Sequence, residues 1–402
     1  MEYLRRTIEP IVEKAAGEFP AVVITGPRQA GKTTLLKHLF RSRYKYVSLE
    51  PPDVRAGAQA DPRGFLELFS SPVIFDEIQY APELLFYIKE KIDENRDAHG
   101  QFILTGSQNL LLLEQVSETL AGRCAMLTML PLSYAEMKGQ PERDFVWEGE
   151  EKKIPFELQG FWKGLLRGGY PELIQQPDRD FLLWQGSYVQ TYLERDVRSL
   201  RQVGDLTQFQ LFIRAIAARS AQLFHLSDVA KDLGVAVNTI KAWLAVLEAT
   251  YQIVILRPYF NNSNKRLVKS PKVFFTDVGT LCYHLGLRDA EHLRLGPMAG
   301  AVVETFVFSE IYKRICGRGR VPQLYFWRTS SGTEVDIIVQ DQGKLIPVEV
   351  KMSSTPTKHM ASGIESFRKS HTEVSKKGYV VHLGEMILPL GKDILAMPFR
   401  SL

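Results

Sequence analysis

The run Gly26-Pro27-Arg28-Gln29-Ala30-Gly31-Lys32-Thr33 fits the pattern G-x-x-x-x-G-K-[ST], and Thr34 follows it. These residue types at this spacing bind phosphate. The glycines let the loop curl until its backbone N–H groups face one point, and a lysine ammonium reaches the same point. Lys32 is expected on the β- and γ-phosphates of ATP, and Thr33 on Mg2+. A second run, Val73-Ile74-Phe75-Asp76-Glu77, ends in two acids. Asp76 is expected in the Mg2+ shell, and Glu77 as the base that polarises an attacking water. In Phe102-Ile103-Leu104-Thr105-Gly106-Ser107-Gln108-Asn109, the polar groups Ser107, Gln108 and Asn109 are candidates to sense the γ-phosphate. Arg123, after Gly122, reads either as an arginine finger or as a structural anchor.

These residues need a scaffold that brings loop ends together. Ala21–Ile24, Tyr46–Leu49, Val73–Phe75 and Phe102–Leu104 are short apolar runs separated by helical patterns. That alternation predicts buried parallel strands with helices on both faces, and ligands at the carboxyl ends of the strands. Residues 1–150 therefore form an α/β nucleotide domain. Residues 151–225 read as a helical lid or linker, broken by the turn Gly168-Gly169-Tyr170-Pro171.

Residues 226–264 read as a helix-turn-helix with a wing. Leu226–Gly234 is a first helix with Ser227 or Asp228 as its cap and Gly234 as its stop. Val237–Leu247 is the second helix, and Ile253–Leu256 with Arg257-Pro258-Tyr259 is the wing. Asn238, Thr239 and Lys241 would face a DNA groove. One lysine on that helix is little positive charge for phosphate, so a packing module is the alternative.

Residues 265–402 return to an α/β pattern with strands near Gln323–Trp327, Glu334–Val339 and Ile346–Val350. Glu349 and Lys351 alternate along one strand and so share a face, and Asp336 lies on a neighbouring strand. Glu304, on a helix, would complete the cluster. Such a set can hold a second divalent metal and hydrolyse phosphodiesters, with Lys351 near the water. Arg318, Arg320 and Arg328 are candidate phosphate contacts, and Tyr325-Phe326-Trp327 offers rings for stacking. His359, His371 and His382 have no metal-ligand spacing.

The phosphate loop, "FDEIQ", "LTGSQN" and "LAGR…LPLS" resemble the AAA-type ATPase module of a large prokaryotic family. In that family the module precedes a C-terminal domain of unknown function (number 4143). The likeness continues through Gly168-Gly169-Tyr170-Pro171-Glu172 and Tyr192–Val197 to the C-terminal "EVD…VEVK", nearly the whole chain. It implies an AAA-like ATPase that assembles as a homo-oligomer, a ring such as a hexamer. By the resemblance alone, Arg167 and Arg195 become candidate contacts to a neighbouring subunit. The ordered Glu304, Asp336, Glu349 and Lys351 resemble the PD-(D/E)xK nuclease superfamily, implying a restriction-endonuclease-like fold. Val335 stands where that superfamily usually has Pro.

Composition limits the alternatives. The chain has 402 residues, enough for two to four domains. Its three cysteines, Cys124, Cys282 and Cys316, are scattered, which fits neither a zinc site nor a disulfide framework and points to a reducing cytoplasm. No apolar run is long enough to span a bilayer. Residues 261–402 hold 20 Lys and Arg against 13 Asp and Glu, an excess that suits a polyanion such as DNA. The expectation is an Mg2+-dependent ATPase that remodels or translocates DNA, branched or single-stranded, with a C-terminal domain that binds and can cut it. The rivals are an ATP-driven switch that binds a protein, and a nucleotide-controlled transcription regulator.

Overall fold

A computed structural model describes residues 3–106, 116, 118–149, 157–193, 206–260, 270–371, 374 and 377–402. The first sheet contains β1 (Ala21–Thr25), β2 (Lys45–Ser48), β3 (Val73–Asp76), β4 (Phe102–Gly106) and β5 (Cys124–Thr128). Its order is β2-β3-β4-β1-β5, and every pairing is parallel. Side chains along β1 alternate between two cores: Ala21 and Val23 pack on one face, Val22 and Ile24 on the other. Burial on both faces explains why β1, β3 and β4 read as unbroken apolar runs.

Strand β4 lies between β1 and β3. The tips of β1, β4 and β3 therefore stand side by side, with Thr105 between the phosphate loop and Asp76. The loop leaves β1 at Gly26 (φ 147°), where a Cβ would lie 1.9 Å from the Met129 carbonyl oxygen, and enters the helix Lys32–Phe40.

Beyond residue 150, helices Leu158–Arg167, Pro171–Gln175, Phe181–Tyr188, Leu206–Ala217, Leu226–Leu233 and Val237–Ala249 lead to an eight-stranded mixed sheet. It comprises β6 (Ile253–Pro258), β7 (Lys272–Phe275), β8 (Leu324–Arg328), β9 (Glu334–Asp341), β10 (Lys344–Lys351), β11 (Gly378–His382), β12 (Leu388–Gly391) and β13 (Ile394–Pro398), ordered β12-β13-β11-β10-β9-β8-β6-β7. Helical and sheet regions share one core, in which Phe161, Phe212 and Trp243 belong to the same cluster as Phe274, Phe308 and Val339.

Two features depart from expectation in the helix-turn-helix segment. The cap of Leu226–Leu233 is His225, which places Ser227 and Asp228 inside the first turn; Gly234 (φ 66°) stops the helix as expected. The expected wing does not project, because β6 is hydrogen-bonded to β7 on one side and to β8 on the other.

Strands β9 and β10 form a hairpin through Gln342 and Gly343, both at positive φ, as a two-residue turn between twisted strands requires. Its register pairs Ile337 with Val348, so Asp336 and Glu349 stand one step farther along. The helix Ala299–Gly317 packs against β7 and β10 and brings Glu304 to the same place.

Two carboxylate clefts and the family

At the nucleotide cleft, buried Lys32 donates from Nζ to the Gly26 and Pro27 carbonyls at 2.8 and 2.9 Å. Its ammonium is folded back on the loop. Thr33 Oγ1 donates to Asp76 Oδ2 at 2.8 Å, and the Tyr46 hydroxyl reaches the same oxygen at 2.5 Å. Thr105 Oγ1 donates to Asp76 Oδ1 and accepts the Glu77 N–H at 3.2 Å. Glu77 is left-handed (φ 59°, ψ 50°), and its carboxylate accepts from Gln79 Nε2. A cleft of about 450 Å³ opens here, lined by Lys32, Thr33 and Glu77 and, from the helical region, by Pro171, Glu172 and Gln175.

The donor chemistry fits Mg2+. Asp76 and Thr33 are hard oxygen ligands, and Asp76 accepts from the neutral hydroxyls of Thr33, Tyr46 and Thr105. Among the described residues no group of three or more His, Cys, Asp or Glu forms a metal cage. Mg2+ beside ATP needs none, since phosphates and waters fill most of its shell.

Two devices hold the cleft from behind. Arg6 is buried; it donates to the Ala30 and Leu130 carbonyls at 2.9 and 2.6 Å and pairs with buried Glu136 at 3.2 Å. Tyr251, which follows the second helix of the helix-turn-helix segment, donates its hydroxyl to Thr25 Oγ1 at 2.5 Å, at the end of β1. Burial pushes the Tyr251 phenol up to about 12.

The C-terminal cleft, about 1030 Å³, is lined by Lys272, Glu304, Glu334, Asp336, Glu349 and Lys351. Lys272 Nζ lies 2.5 Å from Glu334 Oε1, 2.9 Å from Glu304 Oε1 and 3.8 Å from Asp336 Oδ1. Asp336 Oδ2 accepts the Val350 N–H at 2.8 Å, and Lys351 Nζ meets Glu349 Oε1 at 2.6 Å. Burial, then the neighbouring Asp336, lifts the carboxyls of Glu304 and Glu349 to about 8. Burial pulls the Lys272 ammonium down, but the carboxylates of Glu304, Asp336 and Glu334 outweigh it, and its value rises. As built, the cluster does not fit a second divalent ion, because an ammonium already sits between Glu304, Glu334 and Asp336.

Residues 18–138 match the AAA domain, 158–291 a domain of unknown function (DUF8612), and 299–402 a domain of unknown function (DUF4143). The Mycobacterium tuberculosis protein Rv2008c and the Mycobacterium bovis protein Mb2031c are each 30% identical over 400 residues, 98% of this chain and 83% of theirs. The chain belongs to this family of AAA-domain proteins. It is an ATPase of the AAA, P-loop type. Among solved structures, the Walker-type ATPase PABY2304 of Pyrococcus abyssi is similar at 17% identity and a TM-score of 0.46, over 70% of this chain and 96% of that one.

In this AAA ATPase the structure brings Lys32, Thr33, Asp76 and Glu77 together, with Gly26 to Thr34 forming the loop and first helical turn. Ser107, Gln108, Asn109 and Arg195 lie outside the described residues. Arg123 is not brought to the cleft. It precedes β5 at the edge opposite the phosphate loop and holds Asp93 by two bonds of 2.7 and 2.9 Å, an anchor. Arg167 donates to the Leu173, Gln176 and Arg179 carbonyls at 2.9, 2.8 and 3.2 Å and so braces the turn that reaches the cleft.

In the DUF4143 domain Glu304, Asp336, Glu349 and Lys351 do converge. The expected phosphate contacts are committed to carboxylates: Arg318 to Glu148 and Asp144, Arg320 to Glu148 and Asp341, Arg328 to Glu334. Tyr46, Thr105, Arg6 and Lys272 were not anticipated. Strand alternation puts Tyr46 and Ser48 on one face, a usable signal for Tyr46. Arg6 precedes the first helix in a plain charged stretch and carries no such signal.

Proposed function

We propose that this protein is an Mg2+-dependent ATPase that acts on DNA, with its nucleotide state passed to the DUF4143 domain. Lys32 and the loop N–H groups bind the β- and γ-phosphates, and Thr33 and Asp76 hold the Mg2+, which neutralises phosphate charge when bound. Glu77 orients the attacking water. Its carboxylate accepts from Gln79, and its backbone, in a left-handed turn, is held by the N–H donated to Thr105. Thr105 joins Asp76 to Glu77, so metal and water are positioned by one side chain.

The observation that carries the coupling is the 2.5 Å contact of Tyr251 with Thr25. Strand β1 leads directly into the phosphate loop, and Tyr251 connects the helix-turn-helix segment with β6. A second contact supports it: Glu310 Oε2, in the DUF4143 domain, accepts the Tyr134 N–H of the AAA domain at 2.6 Å. DNA as the ligand is supported by the basic excess of residues 261–402 and by Asn238 and Lys241, which are exposed on the second helix. A homo-oligomeric ring, with an arginine from a neighbouring subunit, belongs to the same proposal.

A second reading, a switch that binds a protein, is favoured by the ion-pair network around Lys272, which suits a structural role. ATP turnover with single-stranded, duplex and four-way-junction DNA, beside a Lys32→Ala control, separates the two. Stimulation by one DNA form, weakening as salt rises, is the expected result. Turnover indifferent to every DNA form would transfer the proposal to a protein partner.

A further inference from the structure

We propose that the ammonium of Lys272 is a built-in cation standing in place of a divalent metal, which makes the DUF4143 cleft a metal-free site. Three observations carry this. Lys272 is fixed: its side chain is 3% exposed, and its backbone pairs with Leu256 on β6 and with Leu223 on the other side. Its Nζ contacts Glu334 and Glu304 within 3 Å and stands 3.8 Å from Asp336, and Glu304 and Asp336 belong to the set expected to hold a metal. A divalent ion needs oxygens at about 2.0–2.6 Å, so it and the ammonium cannot share this volume.

The cluster also carries its own cations: the carboxyl groups of Glu304, Glu334, Asp336 and Glu349 face Lys272, Lys351 and Arg328. Cation capacity nevertheless persists beneath the lysine. Glu349 is buried, 7% exposed, and its Oε2 has no partner among the described residues although it lines the cleft. With Lys272 in place these carboxylates form no metal cage among the described residues; removal of the ammonium would leave that oxygen and the carboxylates of Glu304 and Asp336 without their cation, hard oxygens free to close on Mn2+ or Mg2+.

The inference does not depend on DNA being the substrate, and its test contains none. Full-length protein without nucleotide is titrated with Mn2+, and free Mn2+ is followed by electron paramagnetic resonance. Wild type and Asp336→Asn are expected to bind the same number of ions. Lys272→Met is expected to gain one Mn2+ per chain, lost again in Lys272→Met/Asp336→Asn. ATP turnover reports that Lys272→Met is folded. A wild-type Mn2+ site missing from Asp336→Asn would overturn the proposal, as would a folded Lys272→Met that gains none. If Lys272→Met does not fold, the wild-type and Asp336→Asn comparison decides alone.

Discussion

The two clefts of this chain both gather carboxylates at strand ends, and they neutralise them differently. Asp76 is met by the hydroxyls of Thr33, Tyr46 and Thr105, while Glu304, Glu334 and Asp336 are met by the ammonium of Lys272. A hydroxyl orients a carboxylate and leaves its charge available; an ammonium cancels it. The first arrangement suits an ion that comes and goes with ATP. The second suits an interior that holds its own counter-charge. Acidic residues in the right order thus do not specify a metal site until the donors facing them are known.

The largest effects are expected at the first cleft alone. Lys32→Ala should lower ATP turnover on the order of 100-fold or more, measured as phosphate release, because charge stabilisation at the transferring phosphoryl group is lost. Glu77→Gln should lower the turnover rate by about 100-fold or more and leave ATP binding intact, as loss of a positioned base does. Thr105→Val removes the bridge between Asp76 and Glu77; a loss of about 1–3 kcal/mol, or roughly tenfold in turnover, is expected.

The second cleft is sharpened by pH. Glu304 and Glu349 sit at about 8 in the folded chain against 4.5 ordinarily. Between those values the folded chain keeps protons that the unfolded chain has released, so stability falls as pH rises through this window. The melting temperature should drop from about pH 5 to about pH 8, and Glu304→Gln should flatten that slope. The smallest effect is at the joint: Tyr251→Phe removes one buried hydrogen bond, about 1 kcal/mol. It should leave basal ATP turnover nearly unchanged and reduce stimulation by DNA.

Much of the nucleotide cleft was legible in the sequence, because its strands are buried on both faces and its loop chemistry is local. Strand β5 was missed because its Cys124, Ala125 and Thr128 are only partly buried and Met126 is exposed, so it lacks the apolar signal of β1, β3 and β4. The convergence of Asp336, Glu349 and Lys351 followed from strand alternation. Lys272 did not, since a lysine opening a strand reads as solvent-facing. Its signal was register: in Lys272-Val273-Phe274-Phe275 the lysine shares a face with Phe274, which is fully buried. Arg123 stayed open between finger and anchor because a Gly-Arg pair marks neither end of a sheet, and only the fold places it beside Asp93, away from its own chain's loop.

The helix Ala299–Gly317 touches both halves of the molecule. Its C-terminal portion is gripped by the AAA domain: Glu310 by Tyr134, Lys313 by the Leu132 carbonyl at 3.2 Å, and Arg314 by the Arg143 carbonyl at 2.7 Å. Its N-terminal portion carries Glu304, held by Lys272. From Glu304 to Glu310 is about 9 Å along the axis. The helix contains no proline and no residue at positive φ to act as a hinge. It is therefore a connecting rod, and a tilt imposed at its gripped end arrives undiminished at the carboxylate on the other.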